Sequence, residues 1–273
     1  MADIEQHEIP FHERRMRNPR LRRGIFLLPS LFTAANLFCG YYAVVATLLG
    51  GRNDFDHAAI AIGLAVVFDS LDGRVARLTG TNTQFGVQFD SLADVVSFGV
   101  APAVMAYSWG VRGLHATPGG MAQFAGDLAW GSCLLFLICC AWRLARFNIQ
   151  GMAPGGSKYF VGMPTPAAAG VVAALVHGFK EPLHDWRWSI AWLVMIASLG
   201  GLMTSTVRYS SFKEIPWKRK QPSLAIVLVI LILWLIWKFS EPVLIIFACT
   251  YAVAGVALHL LRMLRLRSAS RIA

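Results

Sequence analysis

Apolar residues run along this chain in long blocks separated by short polar ones. Blocks long enough to cross a bilayer as helices of roughly 20 residues recur at 25–49, 57–78, 90–110, 124–146, 164–181, 188–207, 222–238 and 241–261. The pattern predicts an all-α, polytopic integral membrane protein with about eight transmembrane helices. The fifth block is short and rich in Ala and Gly, and Gly99 and Pro102 interrupt the third. A tight turn near Ser240-Glu241-Pro242 is expected between the last two. Residues 1–24 are polar and close on Arg14, Arg15, Arg17, Arg20, Arg22 and Arg23. They read as a basic juxtamembrane segment before a retained anchor, not as a cleaved signal peptide. A six-helix core is expected over 25–213, with two further helices and a basic tail over 214–273.

Composition supports this pattern. Of 273 residues, 56% are hydrophobic and only 15% charged, against about 25% charged in a soluble domain. The mean hydropathy is +0.54. A net charge of +10 raises the question of nucleic acid, but its distribution answers it. With the N-terminus inside and eight alternating helices, only Arg52, Arg112, Lys180, Arg187 and Lys238 fall outside, out of 25 Lys and Arg. That asymmetry is the positive-inside rule. The charge is topological and lipid-facing, both termini are expected in the cytoplasm, and no nucleic-acid partner is expected.

Cys39, Cys133, Cys139, Cys140 and Cys249 lie in apolar runs without metal-type spacing, and read as small buried hydrophobes. His57, His115, His177, His184 and His259 show no ligand pairing. The nine tryptophans suit interfacial belts and lipid-facing helices. Asp127 reads as a cap of the fourth helix.

Four aspartates break the apolar pattern: Asp69, Asp72, Asp90 and Asp94. Carboxylates near hydrocarbon are costly and mark a functional site. So many like charges at close range imply a bound cation. Residues three or four apart share a helix face, so Asp69 and Asp72 pair on one helix, and Asp90 and Asp94 on the next. The intervening Leu78–Phe85 stretch contains Gly80 and short polar side chains and reads as a turn. Two antiparallel helix ends would gather the four carboxylates around one cavity at the cytoplasmic ends of helices 2 and 3. All-oxygen sites select Mg²⁺, Mn²⁺ or Ca²⁺. Divalent metals with nearby arginines suit phosphoryl chemistry, in which one carboxylate not fully committed to metal takes a proton from an attacking hydroxyl.

The run Asp69-x-x-Asp72-Gly73-x-x-Ala76-Arg77, eight residues, then Gly86-x-x-x-Asp90-x-x-x-Asp94 resembles the motif of the CDP-alcohol phosphatidyltransferases. The flanks resemble their bacterial membrane-integral phosphatidylserine synthase branch: Pro29–Gly40, including Asn36; Arg143-Leu-Ala-Arg146-Phe147-Asn148; Gly162–Ala167; and Met203–Lys213, including Arg208. The resemblance covers residues 25–213.

It implies a site with two divalent ions, Mg²⁺ or Mn²⁺, held by Asp69, Asp72 and Asp90, with Asp94 as general base and further metal contact. It also implies CDP-diacylglycerol binding by Gly73, Ala76, Arg77, Gly86 and Asn36, and serine or phosphate binding by Arg143, Arg146, Asn148, Arg208 and Lys213. Several of these positions keep a structural alternative. Arg77 also suits a snorkelling helix-end residue, and Arg143 with Arg146 an inside anchor pair. Lys213 suits a topology determinant, and Asn36 a helix–helix hydrogen bond. The implied activity moves a phosphatidyl group from CDP-diacylglycerol to L-serine, in a homodimer of the bacterial inner (cytoplasmic) membrane. Two rivals stand beside it. One is the same reaction with glycerol 3-phosphate, an inositol phosphate or choline; the other is a divalent-cation transporter, which would usually show repeated helices.

Overall fold

The computed structural model describes residues 19–79, 83–110, 114, 122–151, 160–205, 208–209, 238 and 240–251. Its helices are α1 (Pro19–Leu49), α2 (Arg52–Thr79), α3 (Gln84–Asp94), α4 (Ala101–Gly110), α5 (Ala122–Gly151), α6 (Thr165–Phe179) and α7 (Trp186–Thr204), followed by α8 (Ser240–Tyr251). The expected all-helical membrane architecture is present. Among the described residues, four helical stretches are long and apolar enough to cross a membrane: Ser30–Leu49, Gln84–Gly110, Phe124–Ile149 and Trp186–Thr204. Helices α6 and α8 are apolar but shorter. The span expected at 222–238 and the far part of the one at 241–261 lie outside the described residues.

The expected break in the third span takes a specific form. Helices α3 and α4 are joined by a π-helical stretch, Val95–Val100, so the chain stays helical through Gly99 and Pro102. Such π segments often lie at functional sites, and this one directly follows Asp94.

Local signals set several boundaries. Thr83 caps α3 by accepting a hydrogen bond from the Gly86 amide, 3.0 Å. Asp185 does the same for α7 from the Arg187 amide, 2.9 Å. Asp127 does not cap α5, because the helix begins at Ala122 and Asp127 stands exposed beyond its first turn. Gly162, at φ +89°, has no room for a side chain against the carbonyl of Met203. There the Met163 amide donates to the Leu202 carbonyl, 3.0 Å. Nearby, Phe160–Val161 pairs antiparallel with Arg208–Tyr209. These contacts tie the start of α6 to the end of α7.

The interior mixes large side chains such as Phe55, Phe98 and Phe136 with many small ones. Ala43, Ala58, Ala65, Ala101, Ala106, Ala129, Ala168 and Ala169 are fully buried, while Leu31, Phe38, Leu48, Trp130, Trp142 and Ile149 are largely exposed. Lipid is as apolar as leucine, so membrane helices associate through close packing of small residues. Two tryptophans depart from the belt reading. Trp109 and Trp192 pack together in the core, 4.8 Å between ring centroids, and the Trp192 indole N–H donates to the Ala106 carbonyl, 3.0 Å. Cys39, Cys133, Cys139 and Cys140 are buried and free, as expected.

Candidate active site at one end of the helices

The carboxylates come from α2 and α3. Asp69, Asp90 and Asp94 each bring an oxygen within 4.8 Å of the others. Asp94 is buried, and Asp69 and Asp90 are half-buried. Asp72 is buried too. It lies within electrostatic reach of Asp69 and Asp90, but its Oδ2 accepts a short hydrogen bond from the Thr33 hydroxyl of α1. The structure thus gathers three of the four aspartates as one cation-sized group and holds the fourth, Asp72 of α2, beside them through Thr33 of α1. The donor set is all oxygen, and Asp90 Oδ1 is buried with no hydrogen-bond partner. A hard divalent cation fits both facts.

Helix α1 supplies a second polar residue. Asn36 is fully buried, and its Nδ2 donates to Asp94 Oδ1, 2.9 Å. The carbonyl of Asn36 accepts from the Ser97 hydroxyl, 2.9 Å, inside the π segment. Close approach at this point leaves Gly40 no room for a Cβ against Ser97. Of the two readings open for Asn36, the helix–helix hydrogen bond is therefore present.

The motif's small residues differ in role. A Cβ at Gly73 would meet nothing within 4 Å, so the protein's own packing does not require glycine there. At Gly86 a Cβ would meet the Thr83 hydroxyl at 3.1 Å, which ties this glycine to the cap of α3. Ala76 is half-buried on α2.

Helix α5 brings the basic residues to the same end. Arg143 is buried, and its Nη1 donates a long 3.5 Å hydrogen bond to the Thr165 hydroxyl. Its Nε is buried without a partner. The guanidinium lies within electrostatic reach of Asp94 and of Tyr251 on α8. Arg146 is half-buried three residues on. Asn148 Nδ2 donates to the Ser91 hydroxyl, 2.8 Å, which fastens α5 to α3 between Asp90 and Asp94. Arg208 lies in the short antiparallel pair. The side chains of Arg77 and Arg208, and Lys213 as a whole, fall outside the described residues.

Thr33, Ser91, Ser97, Thr165 and Tyr251 also belong to this environment. The chain gave a partial hint for Thr33 and Thr165, which lie inside the flanking motifs. No local signal marks the others.

The opposite end of the bundle carries a separate polar cluster. His177 is its centre: its Nδ1 lies 2.5 Å from Asp56 Oδ1 and its Nε2 2.9 Å from the Ser240 hydroxyl. Lys180 pairs with Glu241 at 2.6 Å, a hydrogen bond that raises the lysine's pKa above its ordinary value. Arg52 pairs with Glu181 at 3.1 Å. These contacts join α2, α6 and α8.

Comparison with known proteins agrees with this geometry. A model of the CDP-alcohol phosphatidyltransferase family matches residues 26–200. A CDP-diacylglycerol–serine O-phosphatidyltransferase of Helicobacter pylori strain 26695 is 35% identical over 243 residues, covering 89% of this chain and 94% of the relative. A Methanocaldococcus jannaschii protein of the same name is 35% identical, covering 70% of this chain and 77% of that one. An archaetidylserine synthase of Methanothermobacter thermautotrophicus is 36% identical, covering 71% and 74%.

Proposed function

The chain belongs to the CDP-alcohol phosphatidyltransferase family, and from that premise we propose that it transfers a phosphatidyl group from CDP-diacylglycerol to L-serine, giving phosphatidylserine and CMP. The observation that carries this reading is the meeting of Asp69, Asp90 and Asp94 within 4.8 Å, with Asp94 fixed by Asn36. The names of the similar proteins supply the acceptor.

Asp69, Asp90 and Asp94, with Asp72 beside them, would hold divalent ions, Mg²⁺ or Mn²⁺. Such ions supply Lewis-acid polarisation of phosphate oxygens. Asp94 is the general base. It accepts the proton of the serine hydroxyl as that oxygen forms its bond to the phosphatidyl phosphorus. The bond from phosphorus to the CMP oxygen breaks, and CMP departs with the electron pair. Asn36 keeps the Asp94 carboxylate in one orientation during this transfer, which preserves the attack geometry.

Gly73, whose face is open, suits close approach of the nucleotide to the backbone. Ala76, Arg77 and Gly86 belong to the same CDP-diacylglycerol face. Arg143 and Arg146 suit the serine carboxylate or a phosphate, because guanidinium groups bind both through charge-assisted hydrogen bonds. Arg208 and Lys213 extend that basic set, and Asn148 orders α3 through Ser91. The site faces the cytoplasm, where serine is available, while the lipid tails reach it sideways from the bilayer. The enzyme works as a homodimer in the bacterial cytoplasmic membrane.

Purified protein in lipid, given CDP-diacylglycerol, Mn²⁺ and radiolabelled L-serine, should form labelled phosphatidylserine and equimolar CMP. CMP release that follows glycerol 3-phosphate, an inositol phosphate or choline instead would overturn the acceptor. Cation flux without CMP release would overturn the reaction in favour of transport.

A further inference from the structure

Among the described residues, three buried polar atoms around the aspartates have no hydrogen-bond partner: Asn36 Oδ1, Asp90 Oδ1 and Arg143 Nε. An unpaired buried polar atom is costly, and each one asks for an explanation. The Asp90 oxygen is accounted for by a cation. The other two flank the general base and are of opposite kind.

The Asn36 amide has a defined orientation. Its nitrogen donates to the Asp94 carboxylate, which cannot donate in return when ionised. Flipping the amide would set oxygen against oxygen. The carbonyl oxygen is therefore left as an unsatisfied acceptor, one bond angle away from the nitrogen that touches the base. Arg143 is also buried within electrostatic reach of Asp94 and keeps an unsatisfied N–H at Nε. An acceptor and a donor thus belong to two side chains that both interact with the base. An amino acid bearing a hydroxyl presents the complementary set: ammonium, hydroxyl and carboxylate.

Building on the serine reading, we propose that Asn36 is the specificity-determining residue for the acceptor's amino group, its Oδ1 accepting from the ammonium of L-serine while its Nδ2 holds Asp94. One side chain then couples substrate choice to the placement of the base. Arg143 Nε takes the carboxylate of the same molecule.

The test uses L-serine and 3-hydroxypropionate, which keeps the hydroxyl and carboxylate and lacks the ammonium. The analogue is measured both as an alternative acceptor and as a competitive inhibitor, so it is informative whether or not it turns over. In Asn36→Ala, kcat/KM for L-serine should fall by a further factor of about 10–150 relative to the analogue, the range for a hydrogen bond to a charged group. The inhibition constant of the analogue should stay within about threefold. Asn36→Asp keeps an acceptor oxygen and loses the donor to Asp94. It should retain the preference for serine over the analogue while kcat falls. Should Asn36→Ala be too poorly folded to assay, Asn36→Asp alone decides, because loss of the preference there contradicts the assignment. A serine-induced rise in the Tm of wild type with bound CMP, absent in Asn36→Ala, gives a readout without turnover.

Equal losses for serine and 3-hydroxypropionate in Asn36→Ala would reduce Asn36 to a positioning residue for Asp94 and overturn the proposal. Failure of the underlying reading shows separately and earlier: wild-type CMP release would then not depend on serine at all, and the ammonium assignment would fall with it.

Discussion

Asp94→Asn separates catalysis from stability, and the structure gives an opposite sign to each. The substitution is isosteric. Asn36 Nδ2 now donates to Asp94 Oδ1 at 2.9 Å, and the amide oxygen of the variant can take the same bond, so the α1–α3 contact survives. What disappears, at an alkaline pH where all three carboxylates are ionised, is one negative charge among groups whose oxygens lie within 4.8 Å of one another. Two unit charges at that spacing repel by about 3 kcal/mol at an effective dielectric constant of about 20, as an upper bound for a fully ionised pair. Two such pairs involve Asp94. The metal-free variant should therefore unfold at a higher temperature than metal-free wild type. A gain of even 1 kcal/mol corresponds to roughly 2–4 °C in a protein of this size. Catalysis should move the other way. Loss of a general base lowers kcat by about 10²–10⁴-fold, with KM for CDP-diacylglycerol little changed. The assays are thermal unfolding in detergent with chelator, and CMP release with saturating L-serine and Mn²⁺. A kcat within threefold of wild type would refute the assignment of Asp94 as base. A lower Tm in chelator would refute the picture of a strained acidic cluster relieved by a cation.

Further outcomes test other parts of the site. Chelator should abolish CMP release and Mn²⁺ or Mg²⁺ restore it, while Asp69→Asn and Asp90→Asn should stay inactive at any metal concentration in folded, monodisperse samples. Thr33→Val removes the hydroxyl that Asp72 accepts from while keeping the shape of the side chain; activity should fall by about 10-fold or more, the worth of a hydrogen bond to a charged group, and unchanged activity would make that contact incidental. Arg143→Ala should raise KM for serine or CDP-diacylglycerol by about 10–150-fold, whereas a loss confined to Tm would mark Arg143 as structural. In a cysteine-free background, Cys at position 74 should label only from the cytoplasmic face and Cys at position 180 only from the outer face; the reverse would invert the membrane orientation.

The aspartate pair-of-pairs was legible because it is a local code. Spacings of three and four fix a helix face, while the turn expected at Gly80 lies outside the described residues. The hydrophobic blocks located α1 to α7 for the same reason, since length and apolarity are properties of a single segment. What the chain could not give were partners set by tertiary packing. Thr33 meets Asp72 across 39 residues and Asn36 meets Asp94 across 58, so their roles depend on how α1 lies against α2 and α3. His177 looked solitary because Asp56 is 121 residues away. Gly99 and Pro102 signalled a disturbance, but not that the backbone would absorb it as a π stretch. Trp109 and Trp192 looked like belt residues because hydropathy alone cannot tell a lipid-facing ring from one packed between helices.

The alanine-lined seams of the bundle add a second rule for tolerance to mutation. In a water-soluble protein, trimming a large apolar residue is the damaging change and enlarging a small one on the surface is benign. Here Leu48, Trp130 and Ile149 face outward, where a bilayer accepts almost any apolar shape. Ala43, Ala65, Ala101 and Ala168 have no exposed surface at all, so even the two added methyl groups of valine must push two helices apart. A saturation screen read with soluble-protein intuition would therefore mistake these plain alanines for functional residues. Their pattern of intolerance would instead trace the seams along which the helices meet, and would map the bundle without reporting on its chemistry.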